Sequence, residues 1–88
     1  MHHILKIDPC YFQAVLDGKK NFEIRHDNRG FQAGDTVRLK EWDHTQRQPF
    51  KATDPDLRET GRHRDFQIGY VTAFEQKPNW VVFSLLPL

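Results

Sequence analysis

The chain is poor in cysteine: Cys10 stands alone among 88 residues, so an internal disulfide cannot form and a cysteine-rich zinc site cannot be assembled. Long hydrophobic runs are missing too. None approaches the roughly 18 apolar residues that a bilayer-crossing helix requires, and the chain is expected not to span a membrane. The opening Met1-His2-His3-Ile4-Leu5-Lys6 lacks the charged stretch, apolar run and small-residue cleavage site of a secretory signal. With the lone thiol, this points to a reducing cytoplasm. Neither sign of charge is in excess, since 13 Lys and Arg stand against 12 Asp and Glu for a net charge of +1. Bulk charge therefore carries no nucleic-acid signature. A phosphate-cradling Gly-rich loop, a Gly-x-Ser-x-Gly elbow and a His-Glu-x-x-His pair are all absent, which excludes nucleotide hydrolysis by a P-loop. The histidines at positions 2, 3, 26, 44 and 63 have no paired-ligand spacing, so no metal is expected.

What is present suits one small domain spanning residues 1–88. A chain of this length buries roughly 60 to 65% of its unfolded surface, enough for one core, and any site must sit on that core. A hydrophobic content of 38% is too high for a disordered segment.

The residues divide into short elements. His2 to Ile7 reads as a strand, and Asp8-Pro9 as a helix start, with Asp a capping type and Pro suited to the first turn. The helix is expected from Pro9 to about Asp17, with Tyr11, Ala14 and Val15 on one stripe, Phe12 and Leu16 beside it, and Gly18 as its left-handed stop. From Lys19 the period becomes two: Phe22 and Ile24 face one way, Glu23 and Arg25 the other. Thr36 to Asp43 alternates again, with Val37, Leu39 and Glu41 against Arg38, Lys40 and Trp42. Residues 44 to 65 show no apolar period and carry Arg47, Lys51, Arg58, Arg62 and Arg64, so they read as a long loop. Phe66 to Glu75 and Trp80 to Leu86, joined through Lys77-Pro78-Asn79, form a closing hairpin. Five strands and one early helix predict a mixed α+β, mainly β fold: a small barrel whose closure protects its sheet edges.

Gly18-Lys19-Lys20-Asn21-Phe22-Glu23-Ile24-Arg25 followed by Phe31-Gln32-Ala33-Gly34-Asp35 resembles the ASCH and PUA-like barrels. His3 to Ile7, Glu41-Trp42-Asp43 and Thr60-Gly61-Arg62 are similar to a small uncharacterised branch of that superfamily. The resemblance covers nearly the whole chain except residues 44 to 59. Relatives usually carry Asn-Asp-Arg where this chain has Asp27-Asn28-Arg29, which leaves the roles of Asp27 and Asn28 open. The resemblance implies a PUA-like pseudo-barrel of about five strands, a helix packed near one opening, and RNA binding or modified-nucleoside chemistry. An amidohydrolase group among these relatives removes acyl groups from cytidine with a lysine and a threonine at the positions of Lys20 and Glu23. Here the threonine is replaced by glutamate, which has no hydroxyl to act as nucleophile.

The candidate ligand-binding residues are Lys6, Lys20, Glu23, Arg25, Arg29, Trp42 and Arg62. Arg25 offers a planar fork for phosphate or a carbonyl oxygen and Lys20 a point charge, while Glu23 orients them or accepts from a base amine. The competing reading places Glu23 and Arg25 on a solvated strand face, in ion pairs worth about 0 to 1 kcal/mol. Trp42 beside Arg38 and Lys40 is either a base-stacking ring or edge core. Lys6 points either into the same cleft or into water. Arg58, Arg62, His63 and Arg64 either close over a polyanion or form a solvated loop. Cys10 at the helix start is expected to be a small buried residue rather than a reactive thiol. No cofactor is implied.

Three functions remain open on the sequence. The first is binding of RNA or a nucleotide-like small molecule. The second is an enzyme on a modified nucleoside, with Lys20 polarising a carbonyl and Glu23 as base. The third is an interaction module presenting Phe50 and Trp80 to a protein partner.

Overall fold

The structure is a computed structural model that describes residues 1–43 and 59–88. β1 (His2–Ile7) alternates strictly, with His3, Leu5 and Ile7 buried and Ile4 and Lys6 outward. The strand ends at Asp8, whose backbone is extended and whose side chain makes no capping hydrogen bond. Pro9 occupies the first turn of α1 (Pro9–Leu16), where its missing N–H has no helical partner to lose. Phe12 and Val15, three residues apart on one face, are buried. Tyr11 is exposed, and so is Cys10, correcting the expectation of a buried thiol. It lies two residues before Phe12, which on a helix is the opposite side. Asp17 caps the helix instead of extending it, and Gly18 follows at φ 74°. The chain then folds back so that the amides of Lys19 and Lys20 both donate to the Ala14 carbonyl, at 3.0 and 3.1 Å.

β2 is Phe22–His26, β3 is Thr36–Trp42, β4 is Glu59–Thr72 and β5 is Trp80–Pro87. They form one sheet in the order β1-β3-β4-β5-β2, with β1 parallel to β3 and the other pairs antiparallel. The protein is thus small and mainly β, with five strands curled into a half-barrel and one short helix. Val37, Leu39, Ile68, Phe83 and Phe12, each almost fully buried, fill its interior.

The expected loop is overturned over residues 59–65, which belong to β4; residues 44–58, with Phe50 and Arg58, lie outside the described residues. Asp65, Arg64 and His63 pair with Arg38, Leu39 and Lys40 of β3. Cross-strand ion pairs reinforce them, Arg38 to Asp65 through two hydrogen bonds of 2.8 and 3.1 Å and Lys40 to Glu59 at 2.9 Å. This half of β4 projects beyond the core and is solvated on both faces, so its sequence has no apolar period to read. Further on, the register of β4 and β5 shifts between Ile68 and Val71. Tyr70 turns outward there, its amide donating to Ser84 Oγ at 2.9 Å.

Asp35, in the turn before β3, ties down the start of β1. It accepts from the Met1 amino group at 3.1 Å and from the Gln32 amide at 3.1 Å, and shares a 2.8 Å hydrogen bond with His3 Nε2. The bond to His3, then that to the amino group, lowers its pKa to about 2. No helix among the described residues is long and apolar enough to cross a membrane.

A candidate ligand cleft at the barrel seam

The two outer strands of the sheet, β1 and β2, run antiparallel and face each other across the opening of the half-barrel. They are not paired with each other in the sheet. Side chains reach across: Arg25 Nη2 donates to the Lys6 carbonyl and Arg29 Nη1 to the Ile4 carbonyl, both at 2.8 Å. Around this seam lies a cleft of about 1010 Å³, walled by β1, β2, the exposed side of α1 and the tryptophans Trp42 and Trp80.

Glu23 sits at the heart of the cleft and is only 3% exposed. Strand parity puts Glu23 and Arg25 on the same, inward face, while the tight turn at Gly18 delivers Lys20 to their side. Glu23 Oε1 accepts from Lys20 Nζ, and Oε2 accepts from Arg25 Nε at 2.9 Å. Burying a carboxylate costs several kcal/mol unless cations and donors replace its water, and here two cations do so. The solvated-face reading of Glu23 is therefore overturned. Phe22 and Ile24, the apolar members of β2, face outward at 41% and 49% exposure. Lys20 also donates to the Phe22 carbonyl at 2.8 Å, and its ammonium lies 5.2 Å from the Phe22 ring and 5.7 Å from that of Tyr11.

Lys6, exposed on β1, places its ammonium 5.3 Å from the centre of the Trp42 ring. As the sequence reading expects, the alternation of β3 keeps Trp42 on the face of Arg38 and Lys40, but those two cations pair with Asp65 and Glu59. Arg62 is the candidate that the fold takes elsewhere and does not line the cleft. Its guanidinium lies 5.1 Å from the Phe12 ring, Nη2 donates to Gln13 Oε1 at 3.3 Å, and Nε is 3.7 Å from Glu41 Oε1. The same buried Glu41 oxygen accepts from Thr60 Oγ1 at 2.6 Å. The reading of residues 44–65 as a loop hid this, because strand β4 carries Arg62 toward α1.

Sequence reasoning missed Tyr11, Lys19, His26 and Asn28, which also line the cleft. The helix-ending glycine was a usable signal for Tyr11 and Lys19, since it folds the helix end against the strand that follows. His26 joins through the pairing of β2 with β5, which sets it opposite Trp80, the rings 5.8 Å apart and nearly perpendicular at 88°. That pairing spans 54 residues and leaves no local trace. Counting the lining, Lys6, Lys19, Lys20, Arg25 and Arg29 stand against Asp8 and Glu23. Among the described residues, no group of three or more His, Cys, Asp or Glu is placed to hold a metal ion.

A protein family described as "Domain of unknown function (DUF3850)" matches residues 2–85. The chain is also similar to an "Uncharacterized 12.9 kDa protein in GpA 3'region" of Escherichia phage P2, at 45% identity over 40 residues. That stretch covers 46% of this chain and 37% of the phage protein.

Proposed function

The chain belongs to the DUF3850 family, and on that premise we propose that the seam cleft binds single-stranded RNA or a nucleotide-like ligand, on a barrel of the PUA-like, ASCH kind. The observation that carries this reading is the convergence of both tryptophans of the chain with the Lys20–Glu23–Arg25 network on one cleft. Aromatic rings stack bases at about 1 to 3 kcal/mol each, and the surplus of cations over carboxylates suits phosphate. Glu23 is the natural acceptor for a base amine, with Lys20 as donor to a base carbonyl oxygen and Arg25 as donor to phosphate. The same reading places the protein in the cytoplasm.

Because Trp42 and Trp80 both line the cleft, intrinsic fluorescence reports on its occupation. Titration with single-stranded oligoribonucleotides should quench it. Neutralising about three to five phosphates gives a log-log salt slope near −2 to −3.5. An unchanged signal with every oligonucleotide, or a salt-independent affinity, would sink the proposal.

The direct contact of Lys20 with Glu23 favours one second reading, an enzyme on a modified nucleoside in which Lys20 polarises a carbonyl and Glu23, as general base, takes a proton from the water that attacks it. Incubation with acylated cytidine and mass detection of the product tests it. Lys20→Ala should then abolish turnover; no turnover by the wild type removes this reading.

A further inference from the structure

We propose that the cleft selects a strand carrying two consecutive phosphates over a mononucleotide, because the phosphates displace the carbonyls of Lys6 and Ile4 from the guanidinium groups of Arg25 and Arg29. The inference rests on the nucleic-acid reading above and adds to it the length of the ligand and the bonds exchanged on binding.

Ile4 and Lys6 lie two residues apart on β1, so their carbonyls project from the same free edge, about 6.6 Å apart at the rise of a strand. Arg29 and Arg25 each donate to one of them at 2.8 Å. Two guanidinium groups are thereby held in a row at the spacing of two neighbouring acceptors, which is also the scale on which phosphates repeat along an extended single strand. The acceptors they now hold are neutral. Each carbonyl takes a single hydrogen bond from its arginine, whereas a phosphate offers opposite charge and two oxygens that match the guanidinium fork, so the exchange favours phosphate, and water takes over the carbonyls at the open seam. Arg25 keeps its Nε bond to Glu23 at 2.9 Å while its outer nitrogens change partner. Arg29, exposed on the segment after β2, swings more freely. A mononucleotide carries one phosphate and exchanges one of the two bonds.

The test compares uridine monophosphate with 5′-phosphorylated diuridylate, read by tryptophan fluorescence and by the carbonyl ¹³C resonances of Ile4 and Lys6. The dinucleotide should bind about tenfold more tightly and shift both resonances, whereas the mononucleotide shifts one. Arg29→Gln should bring the ratio of the two affinities close to one, and Arg29→Met, which likewise lacks the charge, should do the same if the first variant does not fold. Equal affinities in the wild type, or unmoved resonances under saturating quench, overturn the selection by length and leave nucleotide binding standing. Absence of quenching by these ligands and by longer oligoribonucleotides overturns both.

Discussion

Glu23 concentrates the chemistry of the seam in one side chain, since both its oxygens are engaged and both partners reach the cleft. Its removal leaves Lys20 and Arg25 facing each other without a carboxylate. Glu23→Ala should lower stability by about 1 to 3 kcal/mol, the range for an orphaned polar partner, because the two cations are partly hydrated, at 18% and 25% exposure. A fall in melting temperature of about 4 to 8 °C per kcal/mol checks this by calorimetry; an unchanged melting temperature contradicts it. Gly69 makes a second case at this scale. A Cβ there would stand 2.8 Å from Ser84 Oγ and 3.0 Å from Leu86. Ser84 Oγ is the acceptor for the Tyr70 amide, so it is not free to yield. Gly69→Ala should destabilise by about 1 to 3 kcal/mol, and Ser84→Gly in the same chain should recover part of the loss in urea titrations.

At the scale of the element, β2 shows what alternation reveals and what it conceals. The period of two over Phe22 to Arg25 was legible, and so was the grouping of Glu23 with Arg25. Which face lies inward was not, because apolar residues normally mark the core side and here they face out. Ile24→Ser should therefore change stability by no more than about 0.5 kcal/mol, while Phe83→Ala, fully buried in β5, should cost about 3 to 5 kcal/mol. Equal losses in paired urea unfolding curves would contradict the outward placement of Ile24. β1, α1 and β3 were readable to within a residue or so at their ends. The first half of β4 was not, since cross-strand ion pairs hold it outside the core and these involve partners more than fifteen residues away.

Taken as a whole molecule, the half-barrel leaves one seam bridged by guanidinium groups and ties β1 to the turn before β3 through Asp35. The folded-state pKa of Asp35 lies near 2 against an ordinary 3.8, so its contribution to stability is fully present above about pH 4. It is lost as the pH falls through the folded value and the carboxylate protonates. Melting temperature should decline between pH 4 and pH 2, and Asp35→Asn should flatten part of that decline; a slope unchanged by the substitution would show that other carboxylates carry it.

The sequence by itself determined the number and type of elements, the helix stop at Gly18 and the proximity of Lys20, Glu23 and Arg25, because these follow from periods of two and 3.6 and from the local geometry of a glycine turn. Only the tertiary structure decided that Glu23 is buried, that Arg62 leaves the site for α1 and Glu41, and that Trp80 and His26 enter it. Those placements depend on strands that pair far apart in the chain and on how the sheet curls, and neither the pairing nor the curl is written in any short stretch of residues.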